Sequence, residues 1–236
     1  MATAMPYMDN GQTFANRVEG GRALGAVVIK HLADTGRRDR PLVLALPRGG
    51  VPVGYEVARA VGGDLDVIVA RKVGLPWQPE LAFGAVAEEG PAIFNTALLR
   101  RVRLGERQVA EMVSRERAEV ARRLRRYRGE RPRPEVSGRT VIVVDDGLAT
   151  GATARAALAA VRGRHPGHLI FAAPVCAGDS AAALRSHADA VLCVVAPEDL
   201  GAVGLWYADF AQTSDDEVAQ LLSAARTADD QSEVLR

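Results

Sequence analysis

One run of the sequence, residues 141–153 (VIVVDDGLATGAT), constrains the fold more than any other part of the chain. Val141 to Val144 are four consecutive β-branched apolar residues, which predicts a strand buried on both faces of a parallel sheet. Asp145 and Asp146 follow this strand, and a short glycine-bearing loop leads into an alanine-rich stretch that favours a helix. A strand, an acid pair, a loop and a helix in this order indicate an open α/β sheet with a ligand site at its carboxyl edge.

The polar part of this run has the chemistry of a phosphosugar site. Ionised carboxylates are acceptors only, so Asp145 and Asp146 match hydroxyl donors or a hydrated cation. The loop after them brings backbone N–H groups and the hydroxyls of Thr150 and Thr153 to the start of a helix, which is a ready anion site. A diol beside a phosphate describes a ribose 5-phosphate. A P-loop fits worse, because only three residues separate the two glycines of the run and no lysine follows.

The run resembles the phosphoribosyl pyrophosphate (PRPP) signature of type I phosphoribosyltransferases. The resemblance implies that Asp145 and Asp146 bind the ribose hydroxyls. It implies a 5-phosphate cradle made of Ala149, Thr150, Gly151, Ala152 and Thr153. It also implies Mg²⁺ as the cofactor, bound through PRPP and with the same two acids as candidate ligands. In the hypoxanthine–guanine branch an acid occupies the position of Ala149, so the resemblance argues against that branch and leaves the acceptor unnamed.

A second ligand loop is indicated after the predicted strand from Leu42 to Leu46. Gly49 and Gly50 allow the backbone to approach a ligand closely, and Arg48 offers a planar fork of donors. In type I phosphoribosyltransferases a short loop at this position binds pyrophosphate, and by resemblance Arg48, Gly49 and Gly50 do so here. A tight turn with a solvated arginine is the alternative.

A basic pair, Arg71 and Lys72, follows the strand predicted over residues 66–70. By resemblance the pair contacts pyrophosphate at the carboxyl edge of the sheet, just before a mobile loop predicted over residues 74–79. We expect Lys72 and Arg48 to be the catalytic residues that stabilise the leaving group. A solvated basic pair is the alternative, and Glu80 in the following loop is either a substrate contact or a surface acid.

Strands and helices alternate along the chain, which predicts a central, mostly parallel sheet with helices on both faces, the type I phosphoribosyltransferase fold. We expect one domain over residues 1–236. A small hood is expected from about 1–40 and 196–226, and a long helical insertion at about 97–128, followed by a loose tail from residue 227. Further segments resemble a stand-alone bacterial group of phosphoribosyltransferases, and the resemblance covers roughly residues 14–225. These segments are Phe14-Ala-Asn-Arg17, Leu46-Pro-Arg-Gly-Gly50, Pro79-Glu-Leu-Ala-Phe-Gly-Ala-Val86 and Val203-Gly-Leu-Trp-Tyr207.

Composition excludes several classes of protein. The net charge is +1 and 48% of the residues are hydrophobic, so no overall field favours nucleic acid or membrane. No apolar stretch reaches transmembrane length, and residues 1–12 lack a signal-peptide pattern, so we expect a cytoplasmic location. Cys176 and Cys193 have no metal-ligand spacing, and we expect two unbridged thiols.

Two features have weaker functional interpretations. The insertion is rich in arginine, which indicates a solvated face with Glu–Arg pairs such as Glu119–Arg123, and a contact with RNA or DNA is the less favoured alternative. Trp206 and Tyr207, with Phe210, are expected on the acceptor side of the hood, where aromatic rings stack on a base. At least one of the three is expected to belong to the hood core instead.

The sequence therefore predicts an enzyme that transfers a 5-phosphoribosyl group from PRPP to a nitrogen nucleophile, most simply a nucleobase, and releases pyrophosphate. The expected partners are PRPP and a small-molecule acceptor, with no membrane, and a homodimer stays open. A PRPP- or nucleotide-binding regulator without transferase activity is the alternative, and a PRPP hydrolase is a weaker third.

Overall fold

The computed structural model describes residues 14–102 and 104–234. The helices are α1 (Arg17–Asp34), α2 (Gly50–Val61), α3 (Thr96–Arg101), α4 (Glu106–Arg128), α5 (Ala152–Arg162), α6 (Gly178–Leu184) and α7 (Asp215–Val234), with a 3₁₀ turn at Val203–Trp206. The strands are β1 (Leu42–Ala45), β2 (Asp64–Val67), β3 (Ala70–Leu75), β4 (Gln78–Ala87), β5 (Ile93–Phe94), β6 (Thr140–Val144), β7 (His168–Val175) and β8 (Ala190–Val195). None of the helices in these two ranges combines the length and the apolar character that a membrane span needs.

Five strands form a parallel sheet in the order β2-β1-β6-β7-β8. All residues of β1 and β6 are buried, as their unbroken apolar sequence predicts. Helices α1 and α2 pack on one face of the sheet and α5 on the other, so the α/β prediction is confirmed. The strand order reverses between β1 and β6, and this switch point is where ligands bind in open α/β sheets.

A second, antiparallel sheet of β3, β4 and β5 corrects two predictions. Arg71 and Lys72 do not end a core strand: the core strand ends at Val67, and the pair lies inside β3, opposite Val86 and Ala85 of β4. Residues 74–79 are not a loop but the end of β3, a tight turn and the start of β4. Gly74 and Pro79 suggested a loop, whereas in the structure the pairing is shifted around Gly74 and continues past it.

The insertion at about 97–128, predicted as one long helical element, consists of two helices, α3 and α4. Helix α3 ends at Arg101, Val102 is extended, and α4 begins after Gly105. At the other end of α4, Arg128 is only 6% exposed and pairs with Asp66 of β2 and with Glu88. Burial raises the pKa of Asp66, although the guanidinium of Arg128 partly offsets the effect. This buried ion cluster attaches the insertion to the central sheet.

The hood joins the N-terminal segment to the segment after β8. Phe14 pairs through its backbone with Trp206 and Ala208, and its ring packs on Tyr207. Nearby, Cys176 and Cys193 form a disulfide, so the expectation of two unbridged thiols is wrong. Cys176 directly follows β7 and Cys193 lies inside the neighbouring parallel strand β8, with their Cα atoms 6.1 Å apart, a proximity that their separation of 17 residues does not reveal. The loose tail is also corrected, since α7 continues to Val234.

Candidate functional site at the switch point of the sheet

The acid pair lies where the chain leaves β6. The Asp145 side chain accepts a hydrogen bond from the backbone N–H of Asp146 at 2.9 Å. Burial, and then the neighbouring charge of Asp146, raise the pKa of Asp145 well above its usual range. The Asp146 carboxylate is held by Arg17, whose Nε donates to Oδ2 at 2.8 Å. The two acids therefore have different surroundings, because Arg17 contacts the carboxylate of Asp146 directly, whereas the carboxyl of Asp145 meets the backbone N–H of Asp146.

The predicted pyrophosphate loop, residues 47–50, follows β1 and lies directly against the acid pair. A Cβ atom on Gly49 would stand 1.9 Å from Oδ2 of Asp146, and one on Gly50 would stand 2.8 Å from the carbonyl oxygen of Val144. Both glycines are thus required by close packing. The Pro47–Arg48 peptide bond is cis. The Arg48 guanidinium faces Asp215 at the start of α7, with the closest nitrogen–oxygen distance at 3.7 Å.

The predicted 5-phosphate loop runs from Leu148 into α5. Leu148 is buried and bridges to the end of β7: its N–H donates to Val175, and its carbonyl accepts from Ala177, both at 2.8 Å. Beyond this anchor Ala149 and Thr150 are exposed, and Gly151 has a φ of 70°, a conformation that favours glycine. Helix α5 begins at Ala152, so its first free N–H groups face the loop.

The basic pair on the second sheet divides between its two faces. Arg71 contacts Glu116 of α4 at 2.5 Å, so a protein carboxylate already neutralises it. Lys72 is exposed and pairs with Ala85, whose side chain belongs to the apolar layer against α5. Within the two described ranges Lys72 makes no hydrogen bond or ion pair. Of the pair, Lys72 is thus the one that the protein leaves unneutralised.

The hood aromatics have distinct positions. Tyr207 is 5% exposed, its ring packs between Phe14 and Phe210, and its hydroxyl donates to the backbone oxygen of Asp146 at 2.6 Å. Burial raises the pKa of this phenol. Trp206 is half-buried and donates through Nε1 to Leu200. Tyr207 therefore supports the acid pair from behind, in agreement with the expectation that at least one of these rings belongs to the hood core.

The residues at the switch point fit a magnesium ion that is bound mainly through its substrate. The described ranges hold no group of three or more His, Cys, Asp or Glu side chains arranged to bind a metal by themselves. Mg²⁺ is usually held by one or two carboxylates together with substrate phosphates and water. Asp145 and the free oxygen of Asp146 supply such a partial set of ligands beside the pyrophosphate loop.

Three functional candidates were missed by sequence reasoning. Arg17 reaches the acid pair from α1, and Asp215 reaches Arg48 from α7, across separations that no local pattern reveals. Arg155 lies on the first turn of α5 and donates to the carbonyl of Thr150 at 3.1 Å. It also lines a cavity of about 320 Å³ with Ala152, next to the phosphate loop. For Arg155 a signal was available, since it lies only two residues after the run at 141–153.

The fold and the site define an α/β protein with an acid pair and two strand-to-helix loops at the switch point of a parallel sheet. The family model described as the phosphoribosyl transferase domain matches residues 19–208. The chain belongs to the phosphoribosyl transferase family, which confirms the resemblance noted in the sequence.

Individual proteins that are similar to this chain support the same family assignment. "Putative phosphoribosyl transferase Rv0571c" and "Putative phosphoribosyl transferase MT0597", from two strains of Mycobacterium tuberculosis, are each 43% identical over 184 residues. The match covers 78% of this chain and 42% of each relative, so the chain spans about two fifths of their length. The crystal structure of TT1426 from Thermus thermophilus has a TM-score of 0.74 at 39% identity, covering 89% of this chain and 98% of that one.

Proposed function

We propose that the chain transfers the 5-phosphoribosyl group of PRPP to a nitrogen nucleophile and releases pyrophosphate. The observation that carries the proposal is the direct contact of the loop at residues 47–50 with the acid pair and the end of β6. Gly49 and Gly50 pack against Asp146 and Val144 so closely that neither position has room for a Cβ atom. A ligand with pyrophosphate, diol and 5-phosphate in sequence would meet the loop after β1, the acid pair and the start of α5 in the same order.

The proposed roles follow from the charges of the residues. Asp145 and Asp146 bind the ribose hydroxyls, while Ala149 to Thr153 hold the 5-phosphate through backbone N–H groups and hydroxyls. Arg48, and Lys72 from the second sheet, stabilise the negative charge on the pyrophosphate as it leaves. Mg²⁺, when bound, supplies further positive charge at that group. Fixing the 5-phosphate and the diol orients the anomeric carbon, so that remote binding energy serves the reaction.

In the proposed step the lone pair of the acceptor nitrogen forms a bond to the anomeric carbon. The bond from that carbon to the pyrophosphate oxygen breaks, and its electron pair leaves with pyrophosphate. The acceptor proton goes to a base other than residue 149, because Ala149 has no titratable group. On the acceptor side we assign Trp206, whose ring is half-buried in the hood, with the buried Tyr207 holding the acid pair in place.

The test combines binding with turnover. Calorimetry with Mg²⁺ and PRPP compares the wild type with Asp145→Asn/Asp146→Asn and with Asp34→Asn, a control at an exposed acid that pairs with Lys30. Because hydrogen bonds to charged groups contribute about 1.5–3 kcal/mol each, the double variant is expected to lose at least about tenfold in affinity. Equal affinity in the double variant would refute the assignment of the acids.

Pyrophosphate release is then measured with a panel of nucleobases. Release that requires one base supports the transferase and names its acceptor. Release without any base would instead indicate a hydrolase. PRPP binding with no release, together with a salt-dependent shift of RNA or DNA, would favour a regulator.

A further inference from the structure

The motif Phe14-Ala-Asn-Arg17 has no role in the function proposed above, yet the structure fixes each of its polar and aromatic members. Phe14 is buried and pairs with the segment around Trp206. Asn16 caps α1, its side chain accepting from the N–H groups of Val18 and Glu19. Arg17 is therefore the first residue of a capped helix whose start is tied to the hood.

The side chain of Arg17 is held on three sides. Its Nε donates to Oδ2 of Asp146 at 2.8 Å, and its terminal nitrogen donates to the carbonyl of Ala211 at 2.7 Å. Its guanidinium carbon lies 3.8 Å from the centre of the Phe210 ring, a cation–π contact. The side chain is 11% exposed, so most of this charge is removed from water beside the acid pair.

We propose that Arg17 is a positioning residue of the ribose-binding site. Its guanidinium fixes one oxygen of Asp146, so that the other oxygen has a set direction toward the ligand. The proposal rests on the proposed function, because it assumes that Asp146 contacts the ribose or its bound cation.

The surroundings favour a permanent clamp over a latch that opens when the ligand binds. A latch requires a second position for the guanidinium, but Phe210 and Ala211 hold it where it is. Gly49 also packs closely against it, since a Cβ atom on Gly49 would stand 3.0 Å from Nε of Arg17. The main chain of Asp146 is fixed as well, by the hydroxyl of Tyr207. Asp146 is thus held at both its backbone and its carboxylate by residues of the hood.

The clamp also links two regions of the molecule. Arg17, Phe210 and Ala211 belong to the hood, whereas Asp146 belongs to the central sheet. Arg17 therefore ties the position of this carboxylate to the hood.

The experiment compares Arg17→Met with Arg22→Met. Arg22 lies on the same helix and forms an ion pair of a similar kind with Glu56 at 3.2 Å, but its side chain is 68% exposed. Loss of a residue that orients a ligand-binding group typically costs about 10–100-fold in affinity or activity. We expect a loss of that size in PRPP–Mg²⁺ binding and in kcat/KM for PRPP with Arg17→Met, and none with Arg22→Met.

Two further readouts separate positioning from simple support of the fold. Arg17→Lys keeps a charge near Asp146 but lacks the planar fork, so it should recover only part of the loss. Millimolar guanidinium should restore PRPP binding to Arg17→Ala and leave Arg22→Ala unchanged. A purely structural role would be restored by neither.

The outcomes are distinct. The clamp is overturned if the wild type binds PRPP and folded Arg17→Met, with an unchanged Tm, binds it equally well or more tightly. The proposed function is then unaffected. Equal losses in the Arg17 and Arg22 variants also overturn the clamp. A wild type that binds neither PRPP nor ribose 5-phosphate overturns the proposed function and the clamp together.

Discussion

Substituting Gly49 by alanine tests the packing between the pyrophosphate loop and the acid pair. The backbone of Gly49 has φ −61° and ψ −32°, which any residue adopts, so the substitution introduces no backbone strain. The added methyl group would instead lie 1.9 Å from Oδ2 and 2.7 Å from Cγ of Asp146. The carboxylate must move, and its bond from Arg17 is lost with it.

The size of the effect follows from these contacts. Overpacking by one methyl group costs about 1–3 kcal/mol, and the lost charge-assisted bond costs about 1.5–3 kcal/mol. The lower entropy of the unfolded alanine chain offsets about 0.4–1 kcal/mol. The free energy of unfolding should fall by roughly 2–5 kcal/mol, which is about 4–20 °C in Tm for a chain of this size. Thermal unfolding and PRPP calorimetry measure the two consequences, since affinity is expected to fall at least about tenfold.

Gly163→Ala is the matched control, because its φ is −62° and a Cβ atom there would lie 3.5 Å from its nearest neighbour. It should leave stability unchanged or raise it by about 0.4–1 kcal/mol. Adding Asp146→Ala to Gly49→Ala removes the clashing atoms. The free energy of unfolding of the double variant should therefore exceed, by about 1–3 kcal/mol, the value expected from adding the effects of the two single substitutions. A Gly49→Ala protein with the Tm and PRPP affinity of the wild type would refute the reasoning.

Two other predictions concern stability. Because the native pKa of Asp145 is raised, the native state binds this proton more tightly than the unfolded chain, and stability decreases as pH rises above 3.8, the unperturbed value. Asp145→Asn should therefore raise Tm at about pH 8 and by less near pH 4; a larger gain at the acid end would contradict the assignment. Arg128→Met leaves the carboxylates of Asp66 and Glu88 without their buried cation, and should lower stability by about 3–5 kcal/mol, or about 6–20 °C in Tm, in thermal unfolding. Arg107→Met, in an exposed pair, is its control, and equal shifts in the two variants would show that the buried cluster has no special weight.

The run at 141–153 could be interpreted from sequence because its information is local. The strand, the acid pair, the loop and the helix are consecutive, and the structure has β6 within one residue of the predicted strand, with α5 in the alanine-rich stretch that follows. The loop at Arg48 could be interpreted for the same reason, since a strand directly precedes it and a helix follows. Parallel strands bring their carboxyl ends to one edge, so two local patterns sufficed to predict one shared site.

The rest depends on contacts between distant segments. Lys72 was assigned to a strand end because the alternating pattern of β3 is short and is interrupted at Gly74. Arg17 belongs to a segment that carries the resemblance, but its role was not evident from sequence because its partner Asp146 is 129 residues away. The disulfide depends on which strands are neighbours in the sheet, which the spacing of two cysteines does not encode.

The anchoring of Leu148 to the end of β7 bears on the entropy of ligand binding. The N–H of Leu148 is bonded to β7, and its carbonyl is bonded to the segment just after β7. Only Ala149 to Gly151 therefore lie between this anchor and the first turn of α5. Ordering a flexible backbone costs about 1–2 kcal/mol for each residue, and that cost is met during folding rather than when a phosphate arrives. Under the proposed function, the short loop would thus favour affinity for the 5-phosphate without any additional contact to it.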